Sequence, residues 1–112
     1  MLTELIAVML RRMGFRTLDL AMDGETAWSM LRGTSYGLII SDLHMQPMSG
    51  LHLLERVRGD ADLRHTPFLM TTASLNTASA VAASDAGVNT YLLKPFTPDL
   101  LRAKVQATLA AA

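Results

Sequence analysis

Two short apolar runs without polar alternation constrain this chain more than any other feature. Gly37-Leu38-Ile39-Ile40-Ser41 and Phe68-Leu69-Met70-Thr71-Thr72 are each of strand length, and neither shows the apolar–polar alternation of a strand with one wet face. Strands of this kind are covered on both faces, as in a parallel sheet held between layers of helices. The segments around them are helical in period. Leu2, Leu5, Ile6, Met9, Leu10 and Met13 recur at three- and four-residue steps, Arg11 and Arg12 fill the last turn, and Gly14 stops the helix. Thr17 to Ala21 is a further strand candidate. Asp23-Gly24 turns the chain into a helix from about Glu25 to Arg32, and another runs from Leu51 to about Arg58 after a loop holding Pro47 and Gly50. Helices are predicted from about Thr77 to Ala86, closed by Gly87, and from Pro98, suited to a first helical turn, through Leu109. Thr90 to Leu93 is the last strand. The order α-β-α-β-α-β-α-β-α implies parallel strands with right-handed crossovers, in one domain over residues 1–112.

Composition narrows the function. A chain of 112 residues holds one core and no separate DNA-binding or membrane module. Ten Lys and Arg balance ten Asp and Glu, so the basic field that tracks a phosphate backbone is missing and nucleic acid is not expected as a partner. The absence of cysteine excludes disulfides, thiol nucleophiles and Cys-ligated zinc. No apolar stretch approaches the roughly 18 residues of a membrane span, and Glu4 stands where a signal peptide would be basic. A cytoplasmic protein with no membrane partner is the expectation. Trp28 reads as half-buried helix packing and the methionines as core. His52 and His65 have no partner at ligand spacing. Arg11, Arg12 and Arg16 read as a solvated helix end.

In an open α/β sheet, sites form at the carboxyl ends of the strands, and three polar residues fall there: Asp42, Thr72 and Lys94. Each alone reads as a strand cap or a solvated loop residue. Together they make a phosphoryl site in which the carboxylate attacks phosphorus, the hydroxyl bonds a phosphoryl oxygen and the ammonium offsets negative charge.

The chain also resembles the receiver domain of bacterial two-component response regulators, in particular the single-domain chemotaxis type. The segment from Leu38 to Gly50 is similar to the phosphoacceptor strand and loop, with Asp42 at the acceptor position and Gly50 eight residues on. Phe68 to Ala73 carries the family's Thr-Ala strand ending, and Ala86 to Phe96 its last strand with Lys94-Pro95. Gln46 stands where many members have proline. The resemblance covers Leu2 to Leu109 and implies a flavodoxin-like three-layer α/β/α sandwich. It implies that Asp42 accepts a phosphoryl group from a sensor histidine kinase or phosphotransfer protein, that Thr72 and Lys94 contact it, and that Tyr91 is the switch aromatic of a surface that binds an output protein. It further implies a cis peptide at Pro95. Among the loop residues His44, Met45 and Ser74, it gives His44 and Ser74 a role in tuning phosphoryl lifetime.

One departure matters. The family opens with a strand and an acidic pair that helps bind magnesium, whereas Met1-Leu2-Thr3-Glu4 here resembles the body of the first helix. The expectation is therefore four strands instead of five, and a weak magnesium site built from Asp42 and the His44 backbone carbonyl. A central strand lost between Thr17 to Ala21 and Gly37 to Ser41 exposes sheet edges, through which a homodimer is expected. Three readings follow. The first is a phosphorylated switch with impaired chemistry, which is not an enzyme. The second is a self-associating binding module that works without phosphorylation. The third, an aspartate-nucleophile phosphatase, fares worst because His44 stands where a second acid is wanted.

Overall fold

A computed structural model describes residues 2–15, 18–21, 23–43, 48–73 and 77–110. Along the chain these form α1 (Leu2–Arg12), α2 (Gly24–Gly33), β1 (Ile39–Asp42), α3 (Gly50–Gly59), β2 (Phe68–Thr72), α4 (Thr77–Asp85), β3 (Thr90–Leu93) and α5 (Pro98–Ala110). The strands make one parallel sheet in the order β1-β2-β3, with Ile39 opposite Phe68, Asp42 opposite Thr71, and Thr72 opposite Leu93.

Successive residues of a strand point to opposite faces, so this one sheet feeds two cores. Ile39, Phe68, Met70 and Tyr91 pack with Leu31 of α2, with Leu53, Leu54 and Val57 of α3 and with Ala83 of α4. Ile40, Leu69 and Leu92 face the other way, against Leu10 of α1 and Leu101 and Val105 of α5. The result is a flavodoxin-like three-layer α/β/α sandwich. Every residue of β2 is buried, which is why its sequence carries no alternation.

Two glycines end helices as the sequence suggests. Gly14 and Gly87 have φ of 103° and 94°. Beyond them, the N–H groups of Phe15 and Val88 close back onto the carbonyls of Leu10 and Ala83, each at 3.1 Å. A side chain at such a φ would clash with its own backbone, so glycine is the residue that permits this closure.

The strand count needs correction: among the described residues there are three strands, not four. Residues 18–21 belong to no strand, and Thr17 lies outside the described residues. A strand is defined by a neighbouring backbone, and a cavity separates this segment from β1. Side chains anchor it instead. Leu18 packs into the α1–α5 core, and Asp19 accepts a hydrogen bond from the Tyr36 hydroxyl, which raises the Tyr36 pKa. The boundary of the strand predicted at Gly37 to Ser41 also shifts: Gly37 and Leu38 precede β1, and Asp42 is its last residue.

Arg58, near the end of α3, fastens the amino-terminal edge of the sheet. Its guanidinium donates to the carbonyls of Gly87 (2.9 Å), Arg64 (3.0 Å) and Thr66 (2.7 Å) and to Asn89 Oδ1 (2.8 Å). Asn89 Oδ1 also accepts the Phe68 N–H at 2.7 Å, which joins the approach to β3 to the first residue of β2. Burial lowers the Arg58 pKa from the ordinary arginine value. Since hydrogen bonds from charged groups contribute roughly 1.5–3 kcal/mol and water replaces part of that at a half-buried site, Arg58→Ala should cost about 2–3 kcal/mol in urea unfolding. Arg58→Lys should recover less than half, because an ammonium lacks the planar fork.

Candidate functional site

The site is assembled at the carboxyl edge of the sheet by strand register. β1 ends on Asp42, whose partner in β2 is Thr71, and Thr72 follows one residue later. The Lys94 N–H donates to the Thr72 carbonyl at 2.7 Å, which holds Lys94 just beyond β3. From there its ammonium reaches across β2 and forms an ion pair with Asp42 Oδ2. The partners differ in exposure. The Lys94 side chain is 8% exposed and that of Asp42 31%, so the carboxylate is the member that faces an incoming reactant.

Local packing fixes the carboxylate's backbone. The Leu43 N–H donates to Thr71 at 2.8 Å, and the Gly50 N–H donates to Leu43 at 3.0 Å, so the chain returns to start α3 directly beneath the end of β1. A Cβ at Gly50 would sit 2.3 Å from the Asp42 carbonyl oxygen. Ser49 caps the helix, its hydroxyl accepting the His52 N–H at 3.2 Å. Met48 is buried in the core and packs so closely on Gly24 that a Cβ there would lie 2.6 Å from the Met48 Cβ. Met48, just before α3, is thus tied to the start of α2.

The structure brings together Asp42, Thr72 and Lys94 of the residues predicted from sequence. Thr72 is 1% exposed. Tyr91 lies on β3 and packs against the core beside α4. Its hydroxyl is buried and, among the described residues, has no hydrogen-bond partner. The Lys94–Pro95 peptide is cis. His44, Met45 and Ser74 lie outside the described residues. Trp28 is half-buried against the core, with the guanidinium groups of Arg32 and Arg56 5.7 and 5.6 Å from its ring centroid. Sequence reasoning missed Met48 and Arg58. The partners of Arg58 lie as far as 31 residues along the chain, so no local pattern marks it.

Magnesium seeks octahedral oxygen ligands, usually carboxylates and water. Among the described residues no group of three or more His, Cys, Asp or Glu side chains could hold a metal ion. The Asp42 carboxylate is also engaged by a cation of the protein itself. Asp42 is the carboxylate expected to bind a magnesium ion weakly, and the His44 carbonyl expected to complete the site lies outside the described residues.

Comparison with known proteins points to a family. The model of the response regulator receiver domain family matches residues 1–106. The chain is 39% identical over 103 residues to the chemotaxis protein CheY of Pseudomonas aeruginosa, covering 92% of this chain and 83% of that protein. It is 37% identical to CheY-3 of Vibrio cholerae, covering 91% and 78%. Among solved structures, CheY4 of Vibrio cholerae superposes with a TM-score of 0.88 at 26% identity, over 96% of this chain and 88% of that one. The receiver domain of a Pseudomonas aeruginosa sensor histidine kinase, with magnesium coordinated in its active-site cleft, gives 0.86 at 27% identity, over 96% and 87%.

Two substitutions probe the site's construction. Gly50→Ala should destabilise the protein by about 1–3 kcal/mol, the range for overpacking against fixed atoms, and should shift the Asp42 amide resonance. Tyr91→Phe should stabilise it by about 1 kcal/mol in urea unfolding, because it removes a buried hydroxyl that has no described partner.

Proposed function

The chain belongs to the response regulator receiver domain family, and from that premise we propose that Asp42 is the phosphoacceptor of a cytoplasmic two-component switch. The single observation that carries this reading is the Asp42–Lys94 pair at the carboxyl edge of a parallel sheet, with the buried Thr72 one residue beyond the register partner of Asp42. The donor is a sensor histidine kinase or a phosphotransfer protein. One Asp42 Oδ forms a bond to phosphorus while the bond from phosphorus to the donor's imidazole nitrogen breaks. The electron pair leaves with the imidazole. Lys94 then exchanges its carboxylate partner for a phosphoryl oxygen, and the Thr72 hydroxyl donates to another. The chain acts as a switch in this reading and not as an enzyme.

Output passes through α4, β3 and α5. Val81, Leu93 and Leu100, one from each element, are exposed apolar side chains suited to a protein target. Tyr91 lies on β3 beneath this surface, and its hydroxyl, buried with no partner among the described residues, favours a move toward water when Thr72 is drawn to a phosphoryl group. A second reading, a binding module that works without phosphorylation, is favoured by the lack of a carboxylate cluster among the described residues. Intact mass after incubation with a small-molecule phosphodonor separates the two. A slow gain of one phosphoryl group, lost in Asp42→Asn and little changed by magnesium, is expected. No gain under any condition would favour the second reading.

A further inference from the structure

α2 and α3 lie side by side, and their last turns carry Arg32 and Arg56. Trp28 stands one turn before Arg32 on the same face of α2. The Arg32 and Arg56 guanidinium groups lie 5.7 and 5.6 Å from its ring centroid, so two like charges from two helices meet on one half-buried indole. The negative ends of the helix dipoles account for arginine in these turns, but not for the convergence of both on one ring. Among the described residues, neither guanidinium makes an ion pair or a side-chain hydrogen bond, and the indole N–H has no partner and is not buried. Arg58, on the same helix as Arg56, instead has four acceptors. A guanidinium carries five donors, so this face holds unused N–H groups together with unneutralised positive charge.

The acids of the same two helices do not neutralise it. Glu25, in the first turn of α2, and Glu55 line a cleft of about 320 Å³ that reaches Met48, and neither pairs with Arg32 or Arg56. We propose that Trp28, Arg32 and Arg56 form a docking site for an acidic helix of a partner protein, which lies along the groove between α2 and α3, sets carboxylates on the two guanidinium groups and rests apolar side chains on the indole. A carboxylate matches the planar guanidinium fork with both its oxygens. A helix carries acids one turn apart at about 5–6 Å, which lets it address two cations gathered about one ring. Tryptophan and arginine are the side chains that most often anchor protein interfaces, whereas a free anion gains nothing from the exposed ring. Equal numbers of basic and acidic residues give the chain no general attraction for a nucleic-acid backbone. Glu25 repels acids at the first turn of α2, so the partner's acids gather over its last turn. None of these residues lies on α4, β3 or α5, so the face is separate from the output surface and does not depend on phosphorylation of Asp42.

The test is titration of the full chain, labelled with nitrogen-15, with an alanine-based helical peptide of about sixteen residues that carries glutamates and leucines at one-turn spacing. Trp28 is the single tryptophan, so its indole N–H gives one resonance that reports on this face. A saturable one-to-one shift of that resonance is expected, with an affinity that falls several-fold as salt rises from about 0.05 to 0.5 M. Arg32→Gln together with Arg56→Gln keeps the apolar stems and removes both charges, and should weaken binding about tenfold or more. Arg11→Gln together with Arg12→Gln, on α1, removes the same charge elsewhere and should leave the affinity unchanged. Both pairs are exposed, so the amide resonances of β2 should stay in place in either variant. Equal weakening by the two pairs, or equal binding of a counterpart with lysine for glutamate, would overturn the proposal. So would the absence of any shift, or inorganic phosphate saturating the same shift at no higher concentration, which would mark a small-anion site. A dimer in sedimentation equilibrium that the Arg32 and Arg56 changes dissolve would overturn it in favour of a second copy of the chain.

Discussion

Burial of β2 on both faces is the constraint from which the rest of the molecule follows. Phe68 and Met70 anchor the core beneath α2, α3 and α4, while Leu69 anchors the one beneath α1 and α5. A strand covered on both sides must satisfy its backbone through neighbouring strands alone, and β1 and β3 supply that pairing. Because both pairings are parallel, all three strands end on the same edge. The meeting of Asp42 and Lys94 is therefore a product of the core. The two side chains lie 52 residues apart in sequence and are brought together because β2 holds the strands that carry them.

The two edges of the sheet are secured differently. At the amino-terminal edge, Arg58 satisfies four acceptors at once. At the carboxyl edge, the connection from β1 to the end of β3 is the Asp42–Lys94 ion pair. An ion pair formed by a nearly buried ammonium gains from a poorly hydrated setting but also pays desolvation, so it suits an exchangeable contact better than a permanent one. The firm edge and the exchangeable edge lie at opposite ends of the same three strands.

Much of this was legible in the sequence, for reasons specific to particular residues. The two apolar runs announced a sheet covered on both sides, and helix stops at Gly14 and Gly87 coincide with φ values that glycine accepts readily. Placement at strand ends was enough to gather Asp42, Thr72 and Lys94. Thr17 to Ala21 misled because strand formation depends on a neighbour, and β-propensity says nothing of whether one is there. Arg58 and Met48 were invisible because their roles rest on contacts distant in sequence: carbonyls across a loop for one, the backbone of Gly24 for the other.

The tight seat of Met48 on Gly24 gives the fold an optical consequence. Trp28 is the chain's single tryptophan, and it lies on α2, one helical turn beyond Gly24. Its ring is flanked by two guanidinium groups, whose positions relative to the indole influence its excited state. The Leu43 carbonyl beside Asp42 accepts the Gly50 N–H, and Met48, two residues before Gly50, seats on Gly24, so described contacts connect the end of β1 to the helix that carries the fluorophore. Intrinsic emission is thus placed to report a shift at the carboxyl edge of the sheet, read at a residue with no described contact to Asp42.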